Sequence, residues 1–381
     1  MKVLFITRGF PSEKDIMSGN YEAVQAKALV AKGMDVSLIN VFERPRQYFF
    51  KDSEITHRIC DGVDVYQGKC IAFRKRGIRR INNYLRKRAY RQVFKAVVKE
   101  KGMPDIIHAH IVSIASFSIF LKYEYRLPFV ITEHWTKTNV SEIPEWLRHM
   151  SKAYSQADKV LCVSQALADS LMKNFHIKCL VINNMVSDQF FLSSKIERKD
   201  QSFKFIAVGA FRKNKGFDIL VEAFAHGCFH DNVTLDIVGD GEERELVERL
   251  IQQHNLSNQV KLLGTKTPDE VNMLLCNSDC FVLSSRLETF AIVVIEAMAK
   301  GLPVIATRSG GPETFLHPEH GILVEKDNIV ELADAMKYMT EHSKDYDSAE
   351  IRHYCYDHFS QNVIADQIVS VYNQVLNRKQ N

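Results

Sequence analysis

Glu288 and Glu296 occupy the stretch CFVLSSRLETFAIVVIEAMAKGLPVIAT and give the chain its clearest chemical signal. Ionised carboxylates accept hydrogen bonds from sugar hydroxyls. Between the two glutamates, the amides near Phe290, Ala291 and Ile292 open a predicted helix, where unpaired N–H groups tolerate an anion. Together these groups suit a polyhydroxylated, phosphate-bearing ligand. A second cluster, Gly209-Ala210-Phe211-Arg212-Lys213-Asn214-Lys215-Gly216, leaves one apolar run and enters a helical pattern at Phe217. A glycine turn followed by cations at a helix N-terminus can cradle a diphosphate. Near the N-terminus, Ser18-Gly19-Asn20 precedes the helical pattern Tyr21 to Lys32; Gly19 lets backbone amides approach phosphate, and Asn20 is positioned to cap the helix. Three histidines fall at predicted strand ends, His108 and His110 in DIIHAH and His134 in ITEHW. Residues 108 and 110 share one face of a strand, and no third ligand sits at a recognisable spacing, so no metal site is expected.

These residues depend on elements that the apolar pattern predicts. Strand-length runs recur at Val3 to Ile6, Val36 to Val41, Ile106 to Ile107, Phe129 to Ile131 and Val160 to Val163, with helical segments such as Tyr84 to Lys101 between them. The pattern restarts with Phe205 to Val208, Val233 to Val238, Val260 to Leu263, Cys280 to Leu283, Val304 to Ala306 and Ile322 to Val324. Such alternation predicts α/β architecture, with two Rossmann-like doubly wound parallel sheets facing a cleft. The aperiodic stretch Ser193 to Ser202 marks the linker, giving domains 1–192 and 193–361. Glu288 then lies in a loop at the carboxyl end of a strand, where open α/β sheets place ligands, and Glu296 lies in a helix from about Phe290 to Lys300. Leu263-Gly264-Thr265 ends a neighbouring strand. The turn Gly239 to Glu243 lacks the full G-x-G-x-x-G arrangement and is not a dinucleotide fingerprint.

At 381 residues the chain accommodates two domains, and its composition is that of a soluble globular protein. The opening MKVLFITRGF is too short for a secretory or membrane-spanning segment, which predicts a cytoplasmic protein. Eight cysteines without a C-x-x-C pair predict reduced, mostly buried thiols. Formal net charge is only +4, yet Arg74, Lys75, Arg76, Arg79, Arg80, Arg86, Lys87, Arg88, Arg91, Lys95 and Lys99 form a run without an acid. Such a run attracts an anionic membrane surface, a lipid-linked diphosphate or nucleic acid.

The E-x7-E spacing of Glu288 and Glu296, the Ala-Met-Ala helix and the Gly-Leu-Pro-Val-Ile-Ala strand resemble the signature of retaining family-4 glycosyltransferases of GT-B architecture. The resemblance covers nearly the whole chain. It implies a nucleoside-diphosphate sugar as donor and a hydroxyl acceptor, either a glycan or a lipid-diphosphate-linked intermediate of bacterial cell-surface polysaccharide synthesis. It also implies front-face substitution, with Glu288 on donor-sugar hydroxyls and Glu296 on the nucleotide ribose. Gly209, Gly19 and Gly264 would approach phosphate or base by backbone, and His110 and His134 would lie near the donor sugar. The family loop reads Gly-Arg-x-x-x-x-Lys-Gly; Lys215 matches, Ala210 replaces the arginine, and Arg212 is the substitute. Ser18 stands where members often carry a second glycine. Ser164 and Asn184 resemble positions at the domain junction, and the last helix, Asn362 to Leu376 within about 362–381, is implied to cross back onto the first domain. Without a persuasive Asp-x-Asp pair, no catalytic metal and no cofactor are expected. Two rivals are a nucleotide-sugar epimerase or hydrolase of the same architecture, and a nucleic-acid-binding protein using residues 74–99. The second leaves the Glu pair and the Lys215 loop without a role, and the basic segment has few aromatics for stacking bases.

Overall fold

The computed structural model describes residues 1–11, 18–44, 55–71, 73, 79–138, 143–193, 196 and 202–378. Arg74, Lys75 and Arg76 of the basic run and most of the Ser193 to Ser202 stretch lie outside them. The chain divides into two compact units, Met1–Asn183 with Ile364–Asn381, and Asn184–Val363. The division falls before the stretch at which the sequence predicts the linker. Residues just after Asn184 already belong to the second unit, because Val186 N donates to Phe359 O at 2.8 Å and Asp188 N to Gln361 Oε1 at 3.0 Å.

Among the described residues, the first unit holds eight strands: β1 Lys2–Ile6, β2 Asp35–Arg44, β3 Thr56–Cys60, β4 Val63–Ile71, β5 Ile106–His110, β6 Phe129–Glu133, β7 Lys159–Cys162 and β8 Leu180–Val181. Their order is β3-β4-β2-β1-β5-β6-β7-β8, parallel except for the β3–β4 hairpin. That hairpin is absent from the periodicity-based expectation. Its turn is Asp61-Gly62, both at positive φ (48° and 79°), the two-residue turn whose twist matches paired strands. The chain leaves β1 for β2 on one side and returns to β5 on the other, so the switch point lies between β1 and β5.

The last helix, Gln361–Asn377, returns to this unit and buries Ile364, Ile368 and Tyr372. Tyr372 Oη lies 2.6 Å from His108 Nδ1, and the other ring nitrogen is 2.7 Å from Thr132 Oγ1. His108 is thereby satisfied on both sides, and burial pushes its pKa down to about 3, so it ties the helix to β5 as a neutral ring. Asp366 adds an ion pair to Lys32 at 2.5 Å.

The second unit holds β9 Phe203–Val208, β10 Val233–Val238, β11 Val260–Gly264, β12 Cys280–Leu283, β13 Val304–Thr307 and β14 Gly321–Val324. All are parallel, in the order β11-β10-β9-β12-β13-β14. Phe205, Phe224, Leu235, Ile237 and Val282 are among the buried side chains of its core. The switch point is between β9 and β12, the strands that carry the Lys215 loop and the Glu288 loop. Among the described residues, no helix is long and apolar enough to cross a membrane.

Replacing Tyr372 by Phe keeps the ring but strands the buried His108 Nδ1. The expected loss is about 1–3 kcal/mol in the unfolding of the first unit, measured by urea denaturation. An unchanged midpoint would show that this bond does not hold the last helix.

Candidate functional site

In the second unit the two predicted loops are bound to each other. Lys215 Nζ lies 2.6 Å from Glu288 Oε1, which also accepts from Ser285 Oγ at 2.7 Å. Glu288 N donates to Ser309 O at 2.9 Å, and the residue is buried. Gly216 has φ 65°, and a Cβ there would collide with the carbonyl oxygen of Ser284. Only glycine allows the loop to come this close to the end of β12. Ser284 Oγ adds a bond to Lys215 O at 3.1 Å, and a Cβ on Gly209 would stand at van der Waals distance from the Lys215 stem.

The residue that fastens this arrangement is Arg286, which the sequence analysis passed over. Its guanidinium makes a two-pronged contact with Asp218 at 2.8 and 2.7 Å, donates to Lys213 O at 2.7 Å and reaches Asp327 at 2.6 Å. Burial opposes the Asp218 charge, but the Arg286 contacts outweigh it and hold the carboxyl below its ordinary value; Arg286 in turn is held further toward its charged form. The available signal was a cation two residues before Glu288, in SSRLE. The glycine turn Gly239 to Glu243 braces the other side: Phe211 N donates to Asp240 O at 2.9 Å and Glu243 N to Phe211 O at 3.0 Å.

Arg212 sits at the exposed start of the 3-10 turn Lys213–Lys215, with no ion pair among the described residues. Ala210 is exposed beside it. Gly264 ends β11, accepts from Gly239 N at 2.9 Å, and has open space where a side chain would stand. The helix carrying Glu296 spans Ile292–Met298, shorter than the predicted segment, because Ala291 at φ 74° breaks the helical path before it. Phe290 is anchored among Phe315 and Phe359, while the amides of Phe290, Ala291 and Ile292 meet no acceptor among the described residues. The Glu296 carboxyl likewise has no hydrogen-bond partner among them, and desolvation pushes its pKa up to about 7.

In the first unit, the carboxyl ends of β1, β5 and β6 gather Gly19, His110 and His134. Gly19 has φ 69° and no room for a Cβ beside the Gly9 carbonyl. It is itself the residue before the helix Asn20–Ala31, so the expected Asn20 cap is not formed: Asn20 is already helical, and a capping side chain must come from the flanking residue. Ser164, in contrast, does cap a helix, accepting from Leu167 N at 3.2 Å. Asn184 opens the second unit.

His110 is buried against Phe5 with ring centroids 5.0 Å apart, and burial, then the His108 and His134 rings, lower its pKa well below the ordinary value. Glu133 is fully buried and organises the loop after β6. It accepts from Val112 N at 2.9 Å, Tyr154 Oη at 2.5 Å, His134 N at 3.0 Å and Trp135 N at 2.7 Å. His110 and His134 also have a third ligand-type neighbour. Glu22 joins them, with one ligand atom from each residue and all three atoms within 4.8 Å of one another. Spacing could not reveal it, because Glu22 comes from the helix after β1.

On the basic helix Arg79–Lys101, tertiary structure sorts the charges. Arg86 pairs with Glu43 and covers Phe117, and Arg91 grips Glu124 at 2.7 Å. Arg80, Lys87, Arg88, Lys95 and Lys99 remain exposed, with Ile81 and Tyr84 exposed among them.

Known proteins resemble both units. Residues 188–354 match the family model described as Glycosyl transferases group 1, and residues 20–190 match Glycosyltransferase Family 4. An uncharacterized glycosyltransferase of Methanocaldococcus jannaschii is 31% identical over 246 residues, covering 64% of this chain and 67% of the relative. The N-acetyl-alpha-D-glucosaminyl L-malate synthase of Bacillus anthracis is 28% identical over 304 residues, covering 75% and 79%. The crystal structure of Anabaena HepE in complex with UDP-glucose shares the fold, with a TM-score of 0.73 at 18% identity over 98% of this chain and 100% of that one. With the paired Lys215 and Glu288 loops at the switch point of one sheet and His110 and His134 at the strand ends of the other, the chain belongs to the family-4 glycosyltransferases and has their GT-B fold.

Proposed function

We propose that this glycosyltransferase moves a sugar from a nucleoside diphosphate to a hydroxyl acceptor with retention of anomeric configuration. The observation that carries the proposal is the Lys215–Glu288 contact, 2.6 Å long, at the β9–β12 switch point. The pair offers a cation for the departing diphosphate and a carboxylate for sugar hydroxyls, the two polar ends of one donor. Negative charge grows on the leaving diphosphate as the anomeric carbon becomes oxocarbenium-like; Lys215, Arg212 and the open amides of Phe290 to Ile292 stabilise it. We place no metal in that step. Glu288 holds sugar hydroxyls, Glu296 the ribose, Gly209 and Gly19 the phosphates, and Gly264 the base edge, while His110 and His134 contact the sugar. The leaving phosphate takes the acceptor proton on the same face, so neither glutamate serves as a glycosidase-type nucleophile. The UDP-glucose bound by Anabaena HepE supports a nucleotide-sugar donor.

A panel of nucleotide sugars screened by thermal shift tests the donor class, since a ligand selective for the native state raises Tm by mass action. Failure of every nucleotide sugar to raise it would overturn the proposal. Nucleotide release only when an acceptor is supplied separates transfer from hydrolysis.

The acceptor is proposed to be a lipid-diphosphate-linked or glycan intermediate of cell-surface polysaccharide synthesis, met at the inner face of the membrane. The exposed Arg80, Lys87 and Arg88, with Ile81 and Tyr84 between them, suit an anionic bilayer surface: cations for headgroups and apolar side chains for the interface.

Arg212→Ala is the cleanest test of the diphosphate clamp, because Arg212 is exposed and makes no ion pair among the described residues. Turnover should fall by a factor equivalent to about 2–4 kcal/mol with stability unchanged. A silent Arg212 would leave the clamp with Lys215 alone. Lys215→Ala should cost as much in rate and also destabilise the fold, because it strands the buried Glu288.

Glu296 gives a pH signature. Its folded pKa of about 7 lies above the ordinary 4.5, so its contribution to stability is fully present below about 4.5 and is lost as pH rises to 7. Affinity for a nucleotide sugar, whose diphosphate does not titrate in this range, should instead increase through pH 7 as the carboxylate forms and accepts the ribose hydroxyls. Glu296→Gln should flatten both profiles; identical profiles for variant and parent would remove Glu296 from the ribose.

Membrane docking predicts sedimentation with anionic vesicles that weakens with salt, surface charge being screened over about 10 Å at 0.1 M. Changing Arg80, Lys87 and Arg88 to Gln should abolish it and spare transfer to a soluble acceptor analogue. Absence of binding by the parent protein at low salt would leave these residues as a solvated face.

A further inference from the structure

We propose that Glu22, His110 and His134 form a binding site for a borderline divalent cation of the zinc class at the carboxyl edge of the first sheet. The three residues come from three places in the chain that the fold brings together: the first turn of the helix after β1, the last residue of β5, and the residue following β6. Their ligand atoms lie within 4.8 Å of one another, with His134 Nε2 at 3.8 Å from Glu22 Oε1.

Two of these atoms make no hydrogen bond among the described residues: Glu22 Oε1 and His110 Nε2, on residues only 2% exposed. A buried polar atom left this way costs about 1–3 kcal/mol, and native structures carry few without a reason. Here the unpartnered atoms are aimed into one cluster, which a single ligand could satisfy.

The chemistry of the set selects the ligand. Two imidazoles and one carboxylate with a fourth position open are a three-ligand zinc arrangement, whereas magnesium and calcium call for oxygen ligands. The His110 ring is held against Phe5, and the backbone of His134 is pinned by Glu133, so two of the three ligands are preorganised. Metal bonds of about 2.0–2.2 Å would bring tetrahedral ligand atoms to about 3.4 Å apart. The ligand atoms would therefore have to draw together by roughly 1 Å.

The inference does not depend on the assignment of His110 and His134 to the donor sugar, and its readouts involve no transfer reaction. The full-length protein, stripped with a chelator, is titrated with Zn2+ against a chromophoric chelator and then with Co2+ as a spectroscopic probe. One equivalent of Zn2+ should bind and raise Tm, and Co2+ should give tetrahedral ligand-field bands without sulfur charge transfer. Glu22→Gln, nearly isosteric, and His134→Ala, at a partly exposed position, should each weaken Zn2+ binding by about tenfold or more, with folding checked by circular dichroism. Absence of binding, a sulfur charge-transfer band that places the metal on a cysteine, or unchanged affinity in whichever of these variants folds would overturn the proposal. In the first case the unpartnered atoms are left to water or a sugar hydroxyl.

Discussion

The Lys215–Glu288 ion pair is the contact on which the second unit's functional edge depends. A cation and a carboxylate withdrawn from water are stable only if each has close partners, and the surrounding structure supplies them. Ser285 shares the Glu288 oxygen, the Ser309 carbonyl takes the Glu288 amide, and Gly216 permits backbone contact with β12. Arg286 then carries the mechanical role, joining Asp218, Asp327 and the Lys213 carbonyl so that the two loops cannot separate without losing several charge-assisted bonds. Lys215 and Glu288 are thus held ready, paired with each other. In the proposed reaction a donor with a diphosphate at one end and hydroxyls at the other would exchange like for like.

The first unit uses buried polarity in two ways. His108 is satisfied on both ring nitrogens by Tyr372 and Thr132, and serves as a structural peg for the last helix. Two residues further along the same strand, His110 keeps an unpartnered nitrogen beside Glu22. The strand alternates so that both rings lie on one face, stacked 4.6 Å apart, yet among the described residues only the His110 ring has a buried nitrogen without a hydrogen bond. Glu133, saturated by three amides and a tyrosine hydroxyl, shows the same economy of role: its carboxyl shapes the loop that presents His134. Buried polar groups with all partners present hold the edge rigid, and those lacking a hydrogen bond among the described residues are where the proposed ligand would sit.

The sequence by itself determined the strand–helix alternation, the two sheets and the loops at the strand ends, because apolar periodicity, glycine turns and strand length are local properties of the chain. Gly209, Lys215, Glu288 and Glu296 were legible for that reason, each lying at a fixed distance from a recognisable strand. The Asp61-Gly62 hairpin was equally local and equally readable. Only the tertiary structure decided which of these groups touch. Arg286 reaches Asp218 and Asp327, Tyr372 reaches His108 across the length of the chain, and Glu22 joins His110 and His134. It also divided the basic helix into paired Arg86 and Arg91 and exposed Arg80, Lys87 and Arg88. Side-chain partnership depends on the doubly wound strand order, which sets residues distant in sequence side by side at the sheet's carboxyl edge, and no spacing along the chain encodes that neighbourhood.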